Sequence, residues 1–361
     1  MLILLDCRPL QNAGPDSEKS RLIFSILPAL TRDPQLQWLL VADRSRPIPE
    51  LPGTTLITQR TLPGKLGWRF WYDRQLPRLA KKHKARLVMT TGGVAARSPL
   101  PQCCWMPERS DPKKNRPPVP LYAGRLGESL HRAGTLFCYF DRDREWLAAR
   151  DANAAAKLVV LHPSPAASAA PPTPEGREQA KEEFAAGKEY FFADATAAGE
   201  EGVIYLLKAF SLFKKRQHSN LQLVVEGIAA EGLQKKLETY KYREDVHWCP
   251  PAAEGDSRLT GGAYATLFLF DEGSLGTPLL NAWNAGIPVI GKAGSPLQDL
   301  AGDASLGADG ADPASLAGHL MSIYKDEQLR NRLINQGQTR VAEFGADRAI
   351  NAVRSAITRA Q

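Results

Sequence analysis

Gly273-Ser-Leu-Gly-Thr-Pro-Leu-Leu-Asn-Ala-Trp-Asn-Ala-Gly-Ile-Pro-Val-Ile290 is the stretch that decides how this chain is built. It follows an apolar run, Thr266–Phe270, that reads as a buried strand. The glycines at 273 and 276 mark a turn, Pro278–Ala285 reads as a helix, and Pro288–Gly291 is extended again. Strand, glycine turn, helix and strand in this order form one unit of a parallel α/β sheet.

The same alternation extends in both directions. Towards the carboxy terminus, Leu316, Leu320 and Ile323 mark one helix and Ile350, Val353 and Ile357 a last one. Towards the amino terminus, Val203–Lys214 has Leu206, Leu207, Phe210 and Phe213 on one face, and it lies between the strands Tyr190–Ala193 and Leu221–Val225. A helix is expected at Leu233–Tyr240 and another at Arg177–Ala186. Ahead of these, Pro163 to Gly176 carries five prolines among small residues and cannot form a core element. The alternation resumes before it, with strands at Ile3–Leu5, Trp38–Val41, Leu87–Thr90, Thr135–Phe140 and Leu158–Leu161, and helices at Ser17–Leu27 and Trp68–Lys82. The reading is two doubly wound α/β domains, 1–165 and 177–345, joined by a Pro/Ala-rich linker at 166–176. The helix at 346–361 is expected to pack back on the first domain. Ligands of such sheets bind beyond the carboxyl ends of the strands, so a cleft between the domains is the expected site.

Composition excludes several classes. The 361 residues are 43% hydrophobic and 24% charged, which fits neither a disordered chain nor a coiled coil. No apolar run approaches the roughly 18 residues needed to span a bilayer, and the start reads as a strand, not a signal peptide. The expected location is the cytoplasm, with the inner membrane face as a peripheral alternative. Cys7, Cys103, Cys104, Cys138 and Cys249 include no Cys-x-x-Cys pair and read as reduced thiols. The histidines show no metal spacing, and no metal or cofactor is expected. Charge is unevenly divided: residues 1–165 carry 26 Lys+Arg against 14 Asp+Glu, whereas the rest of the chain is acidic. Between 51 and 100, Asp73 is the one acid beside ten bases.

The order of motifs in the second half resembles the retaining glycosyltransferases of the GT-B fold, in particular glycosyltransferase family four. The stretches that carry the likeness are Gly202–Phe210, Leu223–Gly227, Tyr240–Val246, Gly273–Ile290 and Asp299–Asp303. Over the first half it rests on Gly14–Ser20 and the strand order. The resemblance implies two Rossmann-like domains facing a central cleft, with a nucleotide-sugar on the second and an acceptor on the first. It also implies protein cations, not a metal, to neutralise the leaving diphosphate. The implied donor-side residues are Gly227, Gly273, Ser274, Leu275, Gly276, Thr277, Asn281 and Lys292, with Glu200 and Glu201 at the helix start. Those implied on the acceptor side are Gly14, Ser17, Glu108 and Arg109.

The chain departs from the family pattern at the positions that matter most. Glu200 and Glu201 stand where an Arg and a Lys are usual, and like charges facing a diphosphate repel. An ungapped alignment puts Gly273 and Asn281 at the two carboxylates of Glu-x7-Glu, although a one-residue slip would return Glu272 to the first. Pro107 and Glu108 stand for a His-Asp pair, and Phe140-Asp141 for a Ser-Glu. Two readings follow. One is a catalytically impaired relative that binds a saccharide, a lipid-linked glycan or a partner transferase in surface-polysaccharide assembly. The other is an active retaining transferase, with Lys292 or Arg109 as its remaining cation. The segment 68–86 surrounds Trp68, Phe70, Trp71 and Tyr72 with bases. It is either a solvated helix with its aromatics in the core or a membrane-surface contact. Lys113, Lys114 and Arg116 lie in a Pro-rich loop, Trp283 reads as a core residue, and no nucleic-acid module is visible.

Overall fold

The computed structural model describes residues 1–14, 17–107, 119–166, 171–227, 237–251, 257–270 and 274–360. The chain divides into two compact units. Unit 1 is Met1–Pro163 with Ala346–Gln361, and unit 2 is Ser164–Gly345.

Unit 1 has seven strands: β1 Leu2–Asp6, β2 Gln37–Asp43, β3 Thr54–Gln59, β4 Leu87–Thr90, β5 Gln102–Trp105, β6 Thr135–Cys138 and β7 Leu158–Val160. All pair in parallel in the order β3-β2-β1-β4-β5-β6-β7. Unit 2 has six: β8 Tyr190–Asp194, β9 Gln222–Glu226, β10 Val246–Cys249, β11 Ala265–Phe268, β12 Val289–Lys292 and β13 Ser305–Ala308. Their order is β10-β9-β8-β11-β12-β13, again all parallel. Both are doubly wound Rossmann-like sheets, and each reverses its winding beside its own first strand, at β1/β4 and at β8/β11. The central strands are buried on both faces, which is why they read as unbroken apolar runs and not as alternations.

Helix Glu200–Gln217 shows how local chemistry sets an element. Val203, Leu206, Leu207, Phe210 and Phe213 are buried at helical spacing against β8 and β9. Glu200 and Glu201 occupy the first turn and Lys214, Lys215 and Arg216 the last, each sign matching the helix dipole. Helix Ala346–Arg359 buries Ala349, Val353, Ala356 and Ile357 and packs on helix Glu18–Leu30 of unit 1.

Several elements differ from the sequence reading. The helix expected at 177–186 begins at Pro174, because Thr173 caps it and a proline is well suited to the first turn. The helix expected at 68–82 is Gly64–Phe70, a π turn at Trp71–Gln75 and Leu76–Lys82. Strand β3 was not expected. It is an edge strand with every residue partly or fully exposed, so it carries neither a buried run nor a strict alternation. The helix expected at Leu233–Tyr240 and the basic loop with Lys113, Lys114 and Arg116 lie largely outside the described residues. Among the described residues no helix is long and apolar enough to cross a membrane.

Candidate functional site

Parallel strands place all their carboxyl ends on one edge of a sheet, and loops on that edge carry ligand sites in this architecture. In unit 2 that edge is acidic. Asp194, Glu200, Glu201, Glu226, Asp309 and Asp312 lie on it, and Lys292 is its one cation among the described residues. Glu200 and Glu201 are exposed in the first turn after Gly199, which caps the helix without a side chain. Their carboxylates offset the positive helix end that would otherwise attract a phosphate. Gly202 fixes this turn against the end of β11, since a Cβ there would fall 2.7 Å from Phe270 Cε1. Gly227 is equally confined: its φ is +153° and a Cβ would lie 3.3 Å from the Ala195 carbonyl.

The glycine turn after β11 is described from Ser274. Gly276 N–H donates to Ser274 Oγ at 3.2 Å, and Gly276, at φ +107°, caps helix Thr277–Asn284. Leu275 is buried, so it anchors the turn and is not open to a ligand. Gly273 lies outside the described residues, as do Glu272, Glu108 and Arg109. Asn281 is already engaged: its Oδ1 accepts the Ala166 backbone N–H at 2.9 Å. The amide NH2 and the second lone pair of Oδ1 are then left for a sugar hydroxyl. Lys292 ends β12, two strands from β8 and hence about 10 Å away across the sheet. Its aliphatic stem passes Gly310, where a Cβ would meet Lys292 Cε at 3.0 Å. Nearby, Tyr205 donates its hydroxyl to the Asp309 carbonyl at 2.7 Å. Burial first, then the Asp309 and Asp312 charges, push this phenol up to about 12.

Unit 1 is different. Gly14, at φ +96°, turns the chain, and its carbonyl accepts from Ser17 Oγ at 3.0 Å and Ser20 Oγ at 2.8 Å. Ser17 also caps helix Glu18–Leu30, so its hydroxyl is committed to the loop. Pro107 is buried beside Gly93, where a Cβ would lie 2.6 Å from Pro107 Cδ. It packs and carries no titratable group. The buried acid of this edge is Asp6, at the end of β1, which sequence reasoning missed. Burial pushes its carboxyl up to about 6, against the lowering effect of Trp71, the Arg8 N–H, Tyr72 and the Arg8 charge.

This has a measurable consequence. The native carboxyl holds its proton up to about pH 6, the unfolded one only to about 4. The stabilisation is therefore complete below pH 4 and is lost as pH rises through 6. Relative to Asp6→Asn, the wild type is expected to lose about 3 kcal/mol of stability between pH 4 and pH 7, since two pKa units correspond to that energy. Urea melts of both proteins across this range measure it, and a flat difference would contradict the assignment.

Among the described residues no group of three or more His, Cys, Asp and Glu is placed to hold a metal. The thiols of Cys103, Cys104 and Cys138 are pushed up to about 12, chiefly by burial, so they stay protonated and are no nucleophiles. In the basic segment, Trp68, Trp71 and Tyr72 are buried and only Phe70 is exposed. Arg69, Arg97 and Arg125 converge on Asp73 at 3.6, 3.5 and 2.5 Å, which neutralises part of its charge.

Residues 175–340 match the family Glycosyl transferases group 1. No curated protein matches the chain in sequence. Its fold is shared with WaaG, a glycosyltransferase involved in lipopolysaccharide biosynthesis, at 14% identity over 98% of this chain and 99% of that one, with a TM-score of 0.69. HepE of Anabaena, solved in complex with UDP-glucose, aligns at 12% identity over 99% of this chain and 100% of that one, with a TM-score of 0.73. The sucrose-phosphate synthase of Thermosynechococcus elongatus aligns at 15% identity over 99% and 98%, with a TM-score of 0.70. At such identities the likeness is one of fold, and that fold is GT-B.

Proposed function

We propose that this GT-B chain, with its Glycosyl transferases group 1 segment at 175–340, is a relative of those enzymes whose donor chemistry is impaired. In this reading it binds a saccharide, a lipid-linked glycan or a partner transferase during assembly of a surface polysaccharide. The observation that carries it is the acidic carboxyl edge of unit 2, with Glu200 and Glu201 exposed at the helix start. A departing diphosphate needs positive charge close by when no metal supplies it, and each 1.36 kcal/mol of transition-state stabilisation lost is a tenfold loss of rate. Structural relatives solved with UDP-glucose or active in lipopolysaccharide biosynthesis support the saccharide context.

One observation favours the second reading, an active retaining transferase: Lys292 sits at the end of β12 with no ion-pair partner among the described residues. A panel of uridine, guanosine, adenosine and cytidine sugar nucleotides separates the two. Release of nucleoside phosphate at the buffer rate with every donor is expected. Turnover that Lys292→Ala abolishes would overturn the impaired reading.

The membrane side of the proposal rests on exposed apolar groups. Leu66 is 81% and Leu62 55% exposed, and Leu56 and Phe70 join them. Arg60, Lys65 and Arg69 lie among them, and no acid occurs between Glu50 and Asp73. Apolar groups interleaved with bases suit an anionic lipid surface. The proposed contact is thus centred on 56–70, ahead of the segment 68–86 suggested by the sequence, because three of the four aromatics there are in the core.

A further inference from the structure

A cavity of 590 Å³ lies beyond the carboxyl ends of β1, β2 and β3 in unit 1. Four arginines line it, Arg8, Arg44, Arg46 and Arg60, with Asp43 as the one lining carboxylate and Trp68 as the aromatic wall. Arg8 is the built element. It is 5% exposed, and its Cζ lies 3.8 Å from the centroid of the Trp68 ring. Its Nη2 donates to the Leu62 carbonyl at 2.7 Å, while its buried Nη1 has no partner. A desolvated guanidinium is costly, and an anion in the cavity beside it offsets that cost.

The charges of Asp6 and Asp43 both act on Arg8, but neither carboxylate accepts a hydrogen bond from its guanidinium. Asp43 Oδ1 accepts the Ser45 N–H at 2.8 Å and the Ser45 hydroxyl at 2.6 Å. The Arg46 guanidinium donates to neutral groups, the Gln11 carbonyl at 3.1 Å and Asn12 Oδ1 at 3.0 Å, so its charge is not cancelled. Arg44 and Arg60 have no ion-pair partner among the described residues. Gln11 holds this edge together: its amide donates to the Asp43 and Arg46 carbonyls and accepts the Asp43 N–H at 2.7 Å.

We propose that this cavity is a phosphate-binding site, with Arg8 fixed against Trp68 as its floor and Arg44, Arg46 and Arg60 around the anion. Planar guanidinium forks pair bidentately with phosphate oxygens. Four cations against the lining Asp43 and the buried Asp6 behind Arg8 leave the cavity net positive, which suits a doubly charged phosphate better than a single carboxylate ligand. The phosphate comes either from a soluble phosphosugar or from a lipid headgroup. Exposed Leu62 and Leu66 sit within two residues of the lining Thr61, Pro63 and Gly64. The site stands on unit 1 alone and holds whether or not unit 2 turns over a nucleotide-sugar.

The test uses the full chain at constant ionic strength, set with chloride. Calorimetry with inorganic phosphate and with glucose 1-phosphate is expected to show binding that Arg44→Ala/Arg60→Ala weakens at least about tenfold. Both side chains are exposed, so this variant keeps the fold. Arg8→Lys keeps a charge but loses the fork, and it is expected to weaken binding by a similar factor. Cosedimentation with vesicles containing phosphatidic acid, a phosphomonoester lipid, against phosphatidylcholine alone, identifies the source. Vesicle binding that phosphate competes away and the double variant loses assigns a lipid headgroup, and binding of glucose 1-phosphate without vesicle binding assigns a soluble ligand. Binding of either kind that the double variant leaves unchanged, or no binding of any probe, would overturn the proposal.

Discussion

Replacing Glu200 by Arg and Glu201 by Lys is expected to raise affinity for uridine diphosphate by about 100-fold. Two charges reverse at the start of helix Glu200–Gln217, on the edge where a GT-B donor is expected. At 6 Å and an effective dielectric of 20, one charge acting on one phosphate charge is worth about 3 kcal/mol. Exposure and salt reduce that to something nearer 1 kcal/mol for each residue. The ligand carries more than one charge, so two reversals amount to about two decades. Glu200→Gln/Glu201→Gln, which removes repulsion without adding attraction, is expected to gain about tenfold. Calorimetry with uridine diphosphate measures both, and an Arg44→Ala/Arg60→Ala background removes any heat arising in unit 1. The same reversal weakens the helix, because each acid in the first turn contributes about 0.3–1 kcal/mol through the dipole. Tighter binding should thus accompany a lower melting temperature, a combination that a merely better-folded variant would not produce. Unchanged affinity would mean that the helix start does not face the nucleotide.

The second large effect concerns Trp283. This side chain is 1% exposed and packs on helix Glu327–Val341, where a Cβ on Gly337 would fall 2.4 Å from its Cδ1. The contact is so close that the glycine and the indole specify one another. Trp283→Ala leaves a cavity that rigid neighbours cannot fill and is expected to cost about 3–5 kcal/mol. For a unit of this size that lowers the melting temperature by about 6–20 °C. Trp283→Phe is expected to be much milder, because the indole Nε1 has no hydrogen-bond partner and its removal relieves a buried polar atom. Calorimetric melting of both variants decides this. Equal losses from the two would show that the indole makes a polar contact that its packing does not reveal.

Much of the fold is legible in the sequence because central parallel strands are buried on both faces. Runs such as Leu221–Val225 and Thr266–Phe270 announce themselves without help from partners. Edge strand β3 does not, since half-exposed threonines satisfy no periodicity. Arg8, Arg44 and Arg60 lie within two residues after β1, β2 and β3, so a base after each successive strand was a readable signal once all three strands were placed. Without β3 the arginines look scattered, and the charge excess of the first half reads as a surface property. The commitment of Asn281 was illegible for another reason. Its partner is a backbone N–H 115 residues away, and no residue type marks it. Glu200 and Glu201, by contrast, could be placed at a helix start from local pattern alone.

The proposed function requires that the acidic edge of unit 2 does not hold a nucleotide-sugar. Hydrogen exchange of the full wild-type chain, with and without an excess of uridine diphosphate glucose, tests it most directly because it reports where a ligand sits and not only whether one binds. Unchanged exchange over Thr196–Leu206 and over Ser274–Asn281 is the predicted result. Slowed exchange across both segments, reversed by Lys292→Ala, would contradict the account and establish unit 2 as a working donor site.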